Sequence, residues 1–287
     1  MMKKSLISLA VLGALTAPLM SFADEVKAAE PAKEEATPDW TFPANFSLVS
    51  DYIFRGQTQT WGRAAAQFTI EADHKSGFYA GFFSSNVSDQ WLPGANLELD
   101  LWTGFRNKFG KSDFGYDFGL YAYLYPGANW DESGFLGTRS KKLNTAEIYG
   151  ALSYQWLTVK AGYAVTPYWG WNFNNSGTDD NGNNTAYGFN GNPKAGIKPG
   201  GNSNGSYYYE ADASYEVLPS WTLVGQLGRQ IVDDAKGLDI TYYKAGVTKA
   251  FKEGWAVNVS WSGTNEPDAY KDFISLKDGT GGKQLVF

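Results

Sequence analysis

The stretch TAEIYGALSYQWLTVKAGYAVTPY, residues 145–168, decides the fold. In its first half Ala146, Ile148, Gly150, Leu152, Tyr154 and Trp156 occupy even positions, while the odd positions include Thr145, Glu147, Ser153 and Gln155. Beyond the turn at Gln155-Trp156-Leu157 the parity reverses: Leu157, Val159, Ala161, Tyr163 and Val165 are apolar, and Thr158, Lys160 and Thr166 are polar. Two period-two runs joined by so short a turn make an antiparallel hairpin with one apolar face per leg. Legs of about ten residues, apolar outward, polar inward and ending in aromatics, have the dimensions of transmembrane β-strands.

Outward from this hairpin, similar alternation bounded by Gly, Asn, Asp or Pro recurs at about 44–54, 63–74, 77–87, 95–107, 113–125, 206–217, 220–230, 239–251 and 255–264, with a last segment within 273–287. The total is twelve, the even number that a single-chain bacterial barrel needs. Every second connection is short: Lys75-Ser76, Lys108 to Ser112, the turn around Trp156, Leu218-Pro219 and Lys252-Glu253-Gly254. The others are longer, two of them much longer, at about 126–143 and 169–205. Tight turns alternating with long loops are what a barrel gives when one rim faces the periplasm and the other faces outside. The predicted fold is therefore all-β, a transmembrane antiparallel up-and-down β-barrel of 12 strands. Phe78 to Val87, aromatic or apolar on both faces, is the one strand that alternation does not orient.

The N-terminus fits that location. Lys3-Lys4, an apolar run from Leu6 to Met20 and small residues at Ser21 and Ala23 read as a secretory signal peptide over 1–23, cleaved between Ala23 and Asp24. Residues 24–40, rich in Ala, Glu, Lys and Pro, read as a disordered periplasmic leader before a barrel over 41–287. Loss of Lys3 and Lys4 leaves 22 basic against 30 acidic residues, so nothing resembles a nucleic-acid-binding patch. The chain has no cysteine, and hence no disulfide framework. Its 16% aromatic content and 33 glycines suit interfacial girdles and tight turns.

Function is then sought in the lumen. Hydrolytic sites in such barrels usually rest on a histidine base, and the single histidine, His74, falls at a predicted periplasmic turn, so no enzyme and no cofactor are expected. Asp179, Asn181 and Asn183 resemble a calcium loop only loosely, because Asn184 stands where glycine is needed, and no metal site is assigned. The residues expected to line a pore are Asp51, Arg55, Arg63, Glu71, Glu98, Asp100, Arg106, Asp117, Glu147, Lys160, Glu210, Asp212 and Lys244. Acids outnumber bases on the polar faces, which predicts cation preference in a conducting barrel. Arg55, at the outer end of its strand, meets the level of Glu98, Asp100 and Glu147, a ring able to narrow the mouth. Asp51 and Arg55, four residues apart in an extended strand, would share a face. The expectation is an outer-membrane channel for small hydrophilic solutes or cations, in a Gram-negative bacterium. Its surroundings would be membrane lipid and lipopolysaccharide, and the barrel-assembly machinery would insert it. The alternative is a non-conducting barrel that acts through its long loops.

Several ordered segments carry a resemblance: Ser50-Asp51-Tyr52-Ile53-Phe54-Arg55-Gly56 with Gln59-Thr60, then Gly77-Phe78-Tyr79-Ala80-Gly81, Ser85-Asn86-Val87, Glu98-Leu99-Asp100, Gly115-Tyr116-Asp117, Tyr125-Pro126-Gly127 and Glu147-Ile148-Tyr149-Gly150. From about Phe42 onward the chain resembles the TorF-family porins, an uncharacterised proteobacterial outer-membrane family. The resemblance implies a barrel and possible solute passage, and transfers no binding residue. The end, Thr280 to Phe287, resembles the aromatic-terminated closing strand of outer-membrane proteins, although Asp278 to Gly282 is turn-like.

Overall fold

A computed structural model describes residues 7–13, 38–132, 142–171, 202–234, 238–265, 273–274 and 282–283. In chain order the strands are β1 (Ile7–Gly13), β2 (Trp40–Thr41), β3 (Ala44–Val49), β4 (Ile53–Phe54), β5 (Gln57–Thr58), β6 (Ala65–His74), β7 (Phe78–Asn86), β8 (Leu97–Lys108) and β9 (Phe114–Leu124). They continue as β10 (Thr145–Tyr154), β11 (Leu157–Ala164), β12 (Tyr207–Leu218), β13 (Trp221–Ile231), β14 (Ile240–Ala250), β15 (Trp255–Thr264), β16 (Phe273–Ile274) and β17 (Gly282–Lys283). Strands β6 to β15 pair antiparallel with their sequence neighbours, and β3 and β1 bridge β6 to β15, so the sheet closes on itself. The ring has twelve positions, and closure leaves no open sheet edge in the wall.

The faces follow from this closure. Phe46, Leu48, Phe118, Leu120, Ile148, Leu152, Val159, Tyr209, Leu223 and Leu227 are exposed on the outer wall. Their strand neighbours of opposite parity, among them Glu98, Asp100, Tyr123, Glu147 and Tyr208, are buried inside. A soluble monomer does not carry an apolar belt around its whole girth, whereas a barrel in lipid requires one. Exposed Trp40, Phe42, Phe78, Phe109, Phe114, Trp156, Trp221, Phe251 and Trp255 gather at the rim of short turns, where amphipathic rings anchor at a membrane interface.

Two segments differ from the sequence-based expectation, and a third, which alternation left unoriented, is oriented by the structure. The first strand was expected over 44–54, but β3 ends at Val49. Arg55 (φ 45) and Gly56 (φ 78) are left-handed, a conformation no strand can continue through, and the chain turns into the small β4–β5 hairpin. Asp51 and Arg55 therefore do not share a strand face. The seat of β3 continues toward the short-turn rim as β2, which pairs with Asp73 and His74 across the break at Pro43, where an N–H is missing. The twelfth barrel position was expected within 273–287. There β16 and β17 pair with each other, and the position in the wall is held by β1, which runs antiparallel from Ile7 opposite Trp261 to Gly13 opposite Trp255. β7 is oriented by its partners: Tyr79 and Ser85 are buried inward and Phe78 faces out.

Candidate functional site

The outer half of the lumen is filled. Residues 50–62, between β3 and β6, fold inward, and Arg55, Gln57, Thr58, Gln59 and Thr60 are all buried. The turn is knit by Asp51, whose carboxylate accepts from Thr58 (2.6 Å) and Thr60 (2.8 Å). Above and around it lies an aromatic cluster drawn from the long connections. It includes Trp91, Trp130, Tyr168, Trp169 and Trp171, with Tyr123, Tyr125 and Tyr242 of the wall. The Trp169 indole donates to Tyr125 (2.8 Å), its backbone N–H donates to Thr145 (2.8 Å), and the Trp130 indole donates to the Trp169 carbonyl (3.1 Å). A pocket with room for about one water lies between Phe54, Gln57, Gln59, Trp91, Tyr168, Trp169 and Trp171.

Arg55 is the keystone of this plug. Its guanidinium makes a two-pronged pair with Glu147 of β10, at 2.9 Å on each prong, and donates to Gln230 of β13 at 2.8 Å. It lies 3.5 Å from the ring centroid of Tyr208 on β12, and reaches the Tyr123 hydroxyl on β9 at 3.4 Å. A residue from the loop after β3 is thus tied across the lumen to four of the five consecutive staves β9 to β13. Its side chain is 5% exposed and that of Glu147 2%. A planar fork facing a carboxylate is the geometry in which an arginine pair is strongest. Gly162 of β11 makes room for this: a Cβ there would collide with the Tyr208 ring.

The ring expected at the mouth divides in two. Arg55 joins Glu147, while Glu98 and Asp100 of β8 remain apart from it. Tyr52 donates to Glu98 (3.2 Å), and Tyr121 donates to Asp100 (2.9 Å). The Tyr52 ring also meets Phe83 of β7 at 5.9 Å.

Below the plug the inner wall is polar and partly open. Arg106 bridges Glu71 and Asp73, the Trp102 indole donates to Glu71 at 2.5 Å, and Tyr79 bonds Asp117 and Tyr149. Lys160 stands 4.8 Å over the Tyr149 ring and directly opposite Glu210, which accepts from Tyr242 at 2.8 Å. Gln226 donates to Asp212 at 2.9 Å. Lys244 shares the inward parity of Tyr242 and is open to solvent. Arg63 precedes β6 and is exposed at the rim of long loops, away from these groups. His74 bonds Ser76 at 2.8 Å and packs on Trp40 at 4.6 Å, at the opposite rim from the plug. The calcium-like run at Asp179 to Asn183 lies outside the described residues.

Burial lifts the proton affinity of the plug phenols: Tyr168 is pushed up to about 12. These hydroxyls stay neutral and serve as hydrogen-bond donors at any physiological pH.

Sequence reasoning missed the plug itself. The available signal was four tryptophans, Trp91, Trp130, Trp169 and Trp171, in segments otherwise rich in Gly, Asn and Ser. Large indoles in connections need something to pack against.

A family model described as "Bacterial protein of unknown function (Gcw_chp)" matches residues 33–282. Among solved structures the chain is similar to a KdgM porin in complex with disordered oligogalacturonate, at 10% identity and TM-score 0.40, covering 69% of this chain and 90% of that one. It is similar to the outer membrane protein OprD from Pseudomonas aeruginosa at 12% identity and TM-score 0.29, covering 78% of this chain and 65% of that one. It is similar to OccAB1 from Acinetobacter baumannii at 13% identity and TM-score 0.32, covering 78% and 69%. No curated protein matches the chain.

Proposed function

Because the chain belongs to the Gcw_chp family of bacterial proteins of unknown function, we propose its role from its geometry: an outer-membrane channel for small hydrophilic solutes, gated at its outer mouth by the inward-folded segment 50–62. The observation that carries this is the Arg55 clasp, a single loop side chain that crosses from β3 to the staves β9, β10, β12 and β13 on the opposite side of the lumen. A barrel built only for structure has no need to hold its outer lumen shut through one removable ion pair. The apolar outer wall and the polar, partly exposed inner wall below the plug support the same reading.

The open lumen is acid-rich. Glu210, Asp212 and Asp117 line it, with Lys160 and Lys244 as counter-charges, and we assign it a mild cation preference. In the secreted form, cleavage after Ala23 removes β1, and the segment 273–287 takes the vacated seat beside β15. That segment leaves the outer rim after Thr264 and must return in the direction β1 runs. Lipopolysaccharide and lipid contact the belt, and the barrel-assembly machinery inserts the chain.

A second reading is a non-conducting barrel that displays its loops. The dense packing of the plug favours it. Liposome swelling with graded sugars and amino acids, together with planar-bilayer recording, separates the two. Solute entry that rises when Arg55 is replaced by alanine supports the gated channel, and absence of conductance in both forms supports the sealed barrel.

A further inference from the structure

Glu98 and Asp100 alternate with Leu99 along β8, so both carboxyls enter the lumen at the level of the plug, and each residue is 1% exposed. One oxygen of each is accounted for: Glu98 Oε1 accepts from Tyr52 and Asp100 Oδ2 accepts from Tyr121. The other two, Glu98 Oε2 and Asp100 Oδ1, are shielded from solvent and have no hydrogen-bond partner among the described residues. Two residues apart on one face of β8, the two shielded oxygens offer only lone pairs while both carboxyls are ionised, and a single proton would turn one of them into a donor.

The surroundings do not supply another way to neutralise the pair. Across the ladder β7 presents Ser85 opposite Glu98 and Phe83 opposite Asp100, both uncharged. From β9 and the segment after it come the Tyr121 and Tyr125 hydroxyls, and from the 50–62 segment comes Tyr52. Glu147 of β10 is taken up by Arg55, so this pair lends neither its cation nor a donor to Glu98 and Asp100. No third His, Cys, Asp or Glu completes a metal shell among the described residues.

We propose that Glu98 and Asp100 form a proton-binding site that latches the plug. With one proton the pair is a compact monoanion held by tyrosine donors, and Tyr52 is seated on it. Loss of the proton to hydroxide leaves two carboxylates facing each other in a water-poor site, which repel and release Tyr52 with its segment. The conducting consequence rests on the gated-channel reading above, whereas the proton site does not.

The test uses the purified full chain in detergent, with heat-modifiable gel migration confirming the fold. Infrared spectra at neutral pH should show a protonated-carboxyl C=O band that is lost in both Glu98→Gln and Asp100→Asn. Acrylamide quenching of tryptophan fluorescence should rise with pH in the native chain, with the open plug favoured up to about tenfold per pH unit beyond proton loss. In Glu98→Gln/Asp100→Asn it should stay flat. A band that survives in both variants overturns the site, as does its absence from the native chain together with a sodium- or potassium-dependent signal there. If a variant does not refold, the native titration decides alone: the band must fade over the interval in which quenching rises, and a constant band beside rising quenching overturns the proposal. A band and quenching that behave as expected without conductance at any pH would uphold the proton site and remove the channel.

Discussion

Replacing Glu147 by alanine tests the clasp most directly. Glu147 and Arg55 are both almost fully buried and are joined by two prongs of 2.9 Å. Without the carboxylate, the guanidinium keeps only neutral acceptors, Gln230 and Tyr123, and the Tyr208 face. Removing one partner of a buried pair costs about 3–5 kcal/mol, because the remaining charge is stranded. The barrel wall does not depend on this pair for its ladder, so the penalty falls on the plug, which can relieve it by leaving. At about 4 kcal/mol the plug equilibrium shifts roughly a thousandfold toward the open form. Arg55→Met/Glu147→Leu, an apolar exchange of both partners, strands no charge and should leave the plug shut. The assay pairs single-channel open fraction with acrylamide quenching of the plug tryptophans. A folded Glu147→Ala protein with the quenching and conductance of the native chain would refute the assignment of Arg55 as keystone, as would a double exchange that opens as fully as the single one.

Gly162→Val drives a side chain into the Tyr208 ring and should move it off Arg55, costing about 1–3 kcal/mol and raising quenching without loss of the heat-modifiable band; unchanged quenching would count against the coupling. Neutralising the mid-lumen acids with Glu210→Gln and Asp212→Asn should weaken cation preference by about 1 kcal/mol per charge within about 4 Å of a water-filled path. A bilayer reversal potential across a salt gradient reads this directly, and a native chain that prefers anions would reject the lumen assignment. Deleting residues 280–287 should abolish the folded, heat-modifiable barrel after signal removal; a deletion that folds normally would show that this segment does not take the seat of β1.

The strands were legible because lipid imposes a rule on every second residue. In β8 the leucines Leu97, Leu99 and Leu101 could only face out once Glu98 and Asp100 needed the interior. Where the interior is itself aromatic the rule loses contrast, which is why β7 could not be oriented: its inward Tyr79 meets Asp117 and Tyr149 of other strands, and its inward Phe83 meets Tyr52 of the plug. The pairing of Arg55 with Glu147 was within reach of the sequence because both fell at one level of the predicted barrel. Its geometry was not, because it depends on the chain leaving the wall at Ser50, and apolar alternation runs on through Ile53 and Phe54 past that point. Gly56 was the local warning, since a left-handed glycine beside an inward arginine marks a turn and not a stave.

Backbone strain separates the two halves of the molecule further. Among the described residues, non-glycine left-handed conformations occur at Gln155, Ser220 and Glu253 in the short-turn rim, at Asp234, and at Arg55, Trp61 and Trp169 in the plug. Those at the rim sit in tight turns whose closure demands them. Arg55 meets the same demand, with Gly56, in the β4–β5 hairpin turn, whereas Trp61 and Trp169 close no hairpin and each costs about 1–2 kcal/mol. The two together amount to about 2–4 kcal/mol, against about 3–5 kcal/mol for breaking the Arg55 pair. The plug is held against this local strain by aromatic packing and by the Arg55 clasp, while the wall around it is held by a continuous ladder. Removing the clasp charge would leave aromatic packing alone to oppose that strain and a stranded guanidinium, and this favours a gate over a permanent seal.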